Sequence, residues 1–138
     1  MQGMKFDESI AIVDNKYNIC DIEGILYNRD TPLIDFKIED YKLIYAKDLS
    51  GGKLYPYEFA FMGLKYVAFN TFFNDRVVRE NAMWIRDYLD CLGLQHYDFE
   101  QIIKKMNGWN AVGNFWVKFK DIGAQCWNDI MTQKYPIY

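Results

Sequence analysis

The sequence predicts an α+β fold: a small antiparallel sheet from N-terminal hairpins, with three to four helices in the C-terminal half. The period of the apolar residues predicts it. Before about residue 50 they alternate in the strand pattern, and from about residue 63 they fall at helical spacing. The 138 residues, 51% of them hydrophobic, suit one domain over 1–138 with a real core.

The first hairpin is expected at residues 9–20 (SIAIVDNKYNIC), turning at Asp14-Asn15, residue types that tolerate a positive φ. A second hairpin pairs GILYN with PLIDFKI around the polar turn Asn28–Thr31. In its second limb the even positions Ile34, Phe36 and Ile38 form the core face. YKLIYA (41–46) is a candidate third strand, and Ser50-Gly51-Gly52 marks a loop. Pro56 bars a central strand there.

Beyond that loop, Leu64, Val67, Ala68, Phe72 and Phe73 form a helical stripe. Val78, Ala82, Ile85, Leu89 and Leu92, spaced four-three-four-three, predict a helix over 78–92 with Ala82, Ile85 and Leu89 buried. Gly93 stands where a left-handed cap ends it. Asp98 and Gln101 form a capping box opening a helix that runs through Met106, and Gly108 ends that helix. FWVKF (115–119) alternates as a strand. Asp121 is a candidate cap for a last helix carrying Ile122, Cys126, Trp127 and Ile130.

Composition removes several function classes. Sixteen Lys and Arg against nineteen Asp and Glu give a net charge of −3, without the basic excess of a nucleic-acid binder. Three scattered cysteines and one histidine, His96, are too few for a structural zinc site, and a reducing, cytoplasmic setting fits them. No signal peptide or membrane span is expected from MQGMKFDES or from any apolar run. The two serines lie outside a GxSxG elbow, and the Gly108–Gly113 stretch lacks a phosphate-binding pattern. Cys91 and His96 are close in sequence, but a buried thiol and a surface loop histidine explain them more simply than a catalytic pair. The expectation is no catalytic residue, no cofactor and no metal.

The candidate protein-binding residues are Arg79, Met83, Trp84 and Arg86. On a 78–92 helix, Arg79 and Arg86 share one flank with Met83 and Trp84 beside it, off the buried stripe. Arg, Trp and Met are enriched at interface cores, so the expected contact is a protein partner or self-association with a second copy of the chain. The competing reading is a solvated charged face with stems shielding the apolar groups. Trp109 and Trp116, with Asn110 and Phe115, form a second candidate patch. Twenty-five aromatic residues make surface rings expected in so small a chain, although a core built of rings is the alternative.

The run from Val78 to DYLDCLGL, followed by IIKKMNGWNAVGNFWV, resembles a segment of small HipA-like proteins of Gram-positive bacteria and their mobile elements. The same segment precedes the kinase domain in some HipA-type kinases. Leu92-Gly93-Leu94 matches its helix end, and Phe115-Trp116-Val117 stands for its Tyr-Trp-Val. GILYNRDTPLIDFKI is similar to the family's opening strands. Asn110-Ala111-Val112-Gly113 departs from its polar Ser/Asn/Asp turn, and no kinase catalytic-loop or magnesium motif is present. The resemblance implies an accessory module and carries over no catalytic residue. The expected function is a non-catalytic protein-binding module, such as a phage- or mobile-element-encoded inhibitor of a host defence protein, an anti-CRISPR being one instance. The alternative is a nucleic-acid-associated regulator or an accessory partner of a HipA-type kinase.

Overall fold

The computed structural model describes residues 15–120 and 122–133. Its sheet has four antiparallel strands: β1 (Ile22–Asn28), β2 (Thr31–Glu39), β3 (Lys42–Asp48) and β4 (Phe115–Lys118), in the order β3-β2-β1-β4. Five α-helices complete the described chain: α1 (Tyr57–Met62), α2 (Tyr66–Asn74), α3 (Ile85–Leu92), α4 (Phe99–Met106) and α5 (Trp127–Thr132). The α+β class and the N-terminal origin of the sheet are as the sequence predicts.

The second hairpin forms with the expected face inward: Ile34, Phe36 and Ile38 are buried. A bulge between Leu26 and Tyr27 resets the alternation, and Leu33 joins the core as well. Gly24 faces β4. A Cβ there would lie 2.8 Å from both the Lys118 carbonyl and Val117 Cγ1, so only glycine admits the strand at that distance.

The expected first hairpin is corrected in part. Asn15–Tyr17 form a 3-10 turn and residues 18–20 are not a strand, while residues 9–14 lie outside the described residues. Asn70 and Tyr66 of α2 fix this stretch. The Asn70 side chain accepts from Ile19 N at 3.0 Å, and the Tyr66 hydroxyl donates to the Ile19 carbonyl at 2.8 Å.

The inner face of the sheet carries a core built largely of rings. Phe36 lies 4.6 Å from Phe69 between ring centroids, and Phe59 of α1 lies 4.7 Å from Phe69. Phe72, Phe73, Ile102, Ile103 and Val117 are buried in the same cluster. Among the described residues, the outer face is covered at the β4 end. There Tyr27 stacks on Trp116 at 4.8 Å, and Trp109, Ala124, Trp127 and Ile130 close over them. Both faces of β4 are therefore covered, and Trp116 and Val117, neighbours in sequence, are both fully buried.

Helix ends follow the local code. Gly93 is left-handed (φ 76°, ψ 27°), with Leu94 N donating to the Leu89 carbonyl at 2.9 Å. Asp98 Oδ1 accepts from Gln101 N at 3.0 Å, as the capping box requires. α4 ends on Asn107, itself left-handed (φ 53°), one residue before the expected Gly108.

Two helices differ from expectation. The 78–92 helix is only Ile85–Leu92, and of its three predicted core residues Leu89 is buried while Ala82 and Ile85 are half-buried. Tertiary hydrogen bonds compete for the backbone before it. The Tyr97 hydroxyl takes the Val78 carbonyl at 2.6 Å, and Glu80 N donates to the Tyr17 hydroxyl at 3.3 Å. The last helix starts at Trp127, with Cys126 at its N-cap and Ile122 outside it, half exposed in an isolated bridge to Phe119. Asp121 lies outside the described residues.

Candidate interaction surface

Without a helix over 78–84, Arg79 and Arg86 do not share a helical flank. The Arg79 guanidinium lies 3.9 Å from the Tyr17 ring centroid, a cation–π contact. Arg86 clips the turn that follows α3. It donates to the carbonyls of Leu94 (2.6 Å) and Gln95 (2.8 Å) and pairs with Asp90 at 3.0 Å. Trp84 is half-buried at the start of α3, packed on the core with its ring 6.0 Å from Tyr88. Met83 alone of the four is a fully exposed apolar side chain.

The second candidate patch is not a surface. Trp116 is fully buried and Trp109 nearly so. Their indole N–H groups are engaged inside the protein, Trp116 with the Arg29 carbonyl at 2.7 Å and Trp109 with the Gly113 carbonyl at 3.1 Å. Burial against α5 makes them the centre of the second core.

The exposed apolar groups lie elsewhere. α1 buries Phe59 and Glu58 and turns Tyr57 and Phe61 out. Tyr57 is 68% and Phe61 88% exposed, while Glu58 is fully buried. Tyr57 and Phe61 are four residues apart and stand on one helical face. Just before α1, Leu49 and Leu54 are 40% and 57% exposed, and Leu54 holds a left-handed backbone (φ 64°). For leucine this conformation carries strain of about 1–3 kcal/mol. Asp48 fixes the loop that presents them, accepting from Ser50 N, Gly52 N and the Tyr55 hydroxyl at 3.2, 3.0 and 2.5 Å. Those donors hold the Asp48 carboxyl below its usual range, the Tyr55 hydroxyl first among them.

Beneath α1, Glu58 Oε2 lies 3.4 Å from Arg76 Nη1 at the end of α2. Arg76 also donates to the Phe72 carbonyl at 3.1 Å, and its guanidinium lies 3.9 Å from the Phe72 ring centroid. Burial and a hydrogen bond with Asp75 push the Glu58 carboxyl up, against the pull of Arg76. The Tyr57 hydroxyl donates to Asp75 Oδ2 at 3.2 Å, and that carboxylate pushes it up too.

The uncovered part of the outer sheet face forms an open cleft of about 730 Å³. Glu23, Asp35, Lys37, Tyr45, Lys118 and Lys120 are among its lining, opposite charges interspersed, as on a solvated sheet face. No group of three or more His, Cys, Asp or Glu among the described residues is placed to hold a metal ion. No helix among them is long and apolar enough to cross a membrane.

Sequence reasoning missed α1. Pro56, read as a strand breaker, also pre-sets the backbone for a helix start, and this was the available signal. Nothing in the pattern YEFAFM shows that its glutamate is inside and two of its rings are outside. Compared with known proteins, the chain matches no family model, no curated protein and no solved structure.

Proposed function

We propose that the chain is a non-catalytic protein-binding module whose partner, a different protein, docks on the outer face of α1 and the loop before it. The exposure of Tyr57 and Phe61 on a helix that buries Glu58 carries this reading. A helix that exposes Tyr57 and Phe61 while it buries Glu58 is unfavourable for the isolated chain. Covering the two rings in a complex would offset that cost, and aromatic side chains dominate interface energetics. The strained Leu54 beside them fits a surface shaped for contact. The HipA-like, mobile-element resemblance extends the reading to an inhibitor of a host defence protein, an anti-CRISPR being one instance. An accessory partner of a HipA-type kinase is the second form of the same reading. The acidic net charge weighs against a nucleic-acid-associated regulator.

Affinity capture from the native host with the parent and with Tyr57→Ala and Phe61→Asp tests the proposal. Phe61 is exposed, so Phe61→Asp should keep the parent circular dichroism spectrum and melting temperature, while Tyr57→Ala also gives up the hydroxyl bond to Asp75 and should melt slightly lower. Each should weaken the captured complex by roughly thirtyfold, the equivalent of about 2 kcal/mol for a hot-spot residue. Parent-like binding by both variants would refute docking on α1. Arg86→Ala is a poor probe of the same question, because it also opens the turn after α3.

A further inference from the structure

One carboxylate oxygen organises the loop between β3 and α1. Asp48 Oδ1, at the end of β3, accepts from Ser50 N at 3.2 Å, Gly52 N at 3.0 Å and the Tyr55 hydroxyl at 2.5 Å. The Ser50 hydroxyl donates in turn to the Lys53 carbonyl at 2.8 Å. Both ends of the loop are anchored. Leu49 N donates to the Leu33 carbonyl of β2 at 2.8 Å, and the Tyr55 ring packs on the core, 6.4 Å from Phe59 between centroids. Between these anchors the backbone is left-handed at Gly51 (φ 71°), Gly52 (φ 79°) and Leu54 (φ 64°). Glycine takes that conformation freely, whereas leucine visits it rarely in an unconstrained chain. Leu54 is 57% exposed, so burial of its side chain is not what holds it there.

We propose that Asp48 is a positioning residue of the docking surface: its carboxylate selects one loop conformation, with Leu54 exposed beside α1, so that a protein partner meets a preformed surface. This rests on the reading that the partner docks on α1 and the loop before it. The effect is exerted on the free protein. A partner that needs one loop conformation binds with its intrinsic affinity reduced to the fraction of molecules that hold it. A loop fixed in advance also avoids the ordering cost of association. If loss of the Asp48 bonds left about a tenth of the molecules competent, binding would weaken about tenfold.

The bonds act on the ionised carboxylate, a stronger acceptor than a neutral one. The Tyr55 hydroxyl, then Gly52 N, hold the Asp48 carboxyl below its ordinary value of 3.8, while burial, then the bond to Asp48, pushes the Tyr55 hydroxyl up. Opposite Asp48 on β2 stands Ile34, which carries no charge. Tyr55 is therefore the titratable group that faces it. Loop order is complete above the ordinary aspartate value and is lost as pH falls through the depressed folded value.

Nitrogen-15 relaxation and amide exchange on the full chain read the loop without any partner. In the parent at neutral pH, the Ser50 and Gly52 amides should be as rigid as those of β3 and should loosen only on acidification below the ordinary aspartate range. Asp48→Ala should loosen them at every pH while keeping the parent circular dichroism spectrum, since Asp48 is exposed. Asp48→Asn keeps an acceptor oxygen, so it should recover part of the order and lack the acid transition. In the affinity capture that tests Phe61→Asp, Asp48→Ala should weaken the parent's complex about tenfold and Asp48→Asn less. Loop amides as rigid in Asp48→Ala as in the parent would overturn the inference, whatever the partner does. A loosened loop with parent-like binding would overturn it too, and Phe61→Asp in the same assay then tells whether the docking reading falls with it. Weakened binding by Asp48→Ala beside parent-like binding by Tyr57→Ala and Phe61→Asp would refute contact on α1 and keep the role of Asp48.

Discussion

Asn107→Ala should be among the most damaging single substitutions in this protein. Asn107 is 1% exposed and ends α4 in the left-handed conformation. Its amide donates to the Val117 carbonyl at 3.0 Å and makes a longer bond of 3.5 Å to the Ala124 carbonyl. Its side-chain oxygen accepts from Ala124 N at 3.1 Å. One side chain thus ties the end of α4 to β4 and to the segment that leads into α5. Ala124 is fully buried, so truncation leaves its N–H without a partner at about 1–3 kcal/mol. Losing the donor to Val117 adds about 1 kcal/mol, and alanine in a left-handed backbone adds about 1 kcal/mol more. The sum is about 3–5 kcal/mol, a large part of the roughly 5–15 kcal/mol typical of a domain. Denaturant titration followed by circular dichroism and tryptophan fluorescence measures it, with Trp109, Trp116 and Trp127 reporting on the second core. Asn107→Gly should recover only the backbone share, about 1 kcal/mol. An alanine variant within 1 kcal/mol of the parent would show that the side-chain bonds contribute little and refute the reasoning.

Leu89→Ala should cost about 2–5 kcal/mol, because Leu89 is buried in the core beside Tyr88 on α3. Ala82→Gly, in the irregular stretch before that helix, should cost well under the roughly 1 kcal/mol of a helix-interior glycine, and a full helical penalty would restore the longer helix. Trp116→Ala should cost about 3–5 kcal/mol by emptying the stack on Tyr27. A denaturation midpoint equal to the parent's would contradict its place in the core.

Local interactions and period made much of the fold legible in the sequence. Alternation placed Ile34, Phe36 and Ile38 on the core face, and the caps at Gly93 and Asp98 were readable because a cap is written within a few residues of chain. The candidate site was far less legible. Of its six predicted residues, Trp109 and Trp116 proved to be core, Arg86 a clip for its own turn, and Trp84 a half-buried packing residue. For the buried tryptophans the deciding partners are distant in sequence. Trp116 is inside because Tyr27 and Ile130 cover a second face of the sheet, and amphipathic spacing records only that a face is apolar, not how many faces are covered.

The sequence by itself determined the α+β class, the sheet hairpin, the inward face of β2 and the ends of α3 and α4, because each rests on interactions within a few residues. Only the tertiary structure decided where the 78–92 pattern stops being helical, since the hydroxyls of Tyr97 and Tyr17 take up Val78 and Glu80 backbone groups from across the molecule. It alone decided that α1 turns Glu58 in and Tyr57 and Phe61 out. The guanidinium of Arg76, just past the end of another helix, makes that buried position tolerable for a carboxyl group, and no local pattern encodes it.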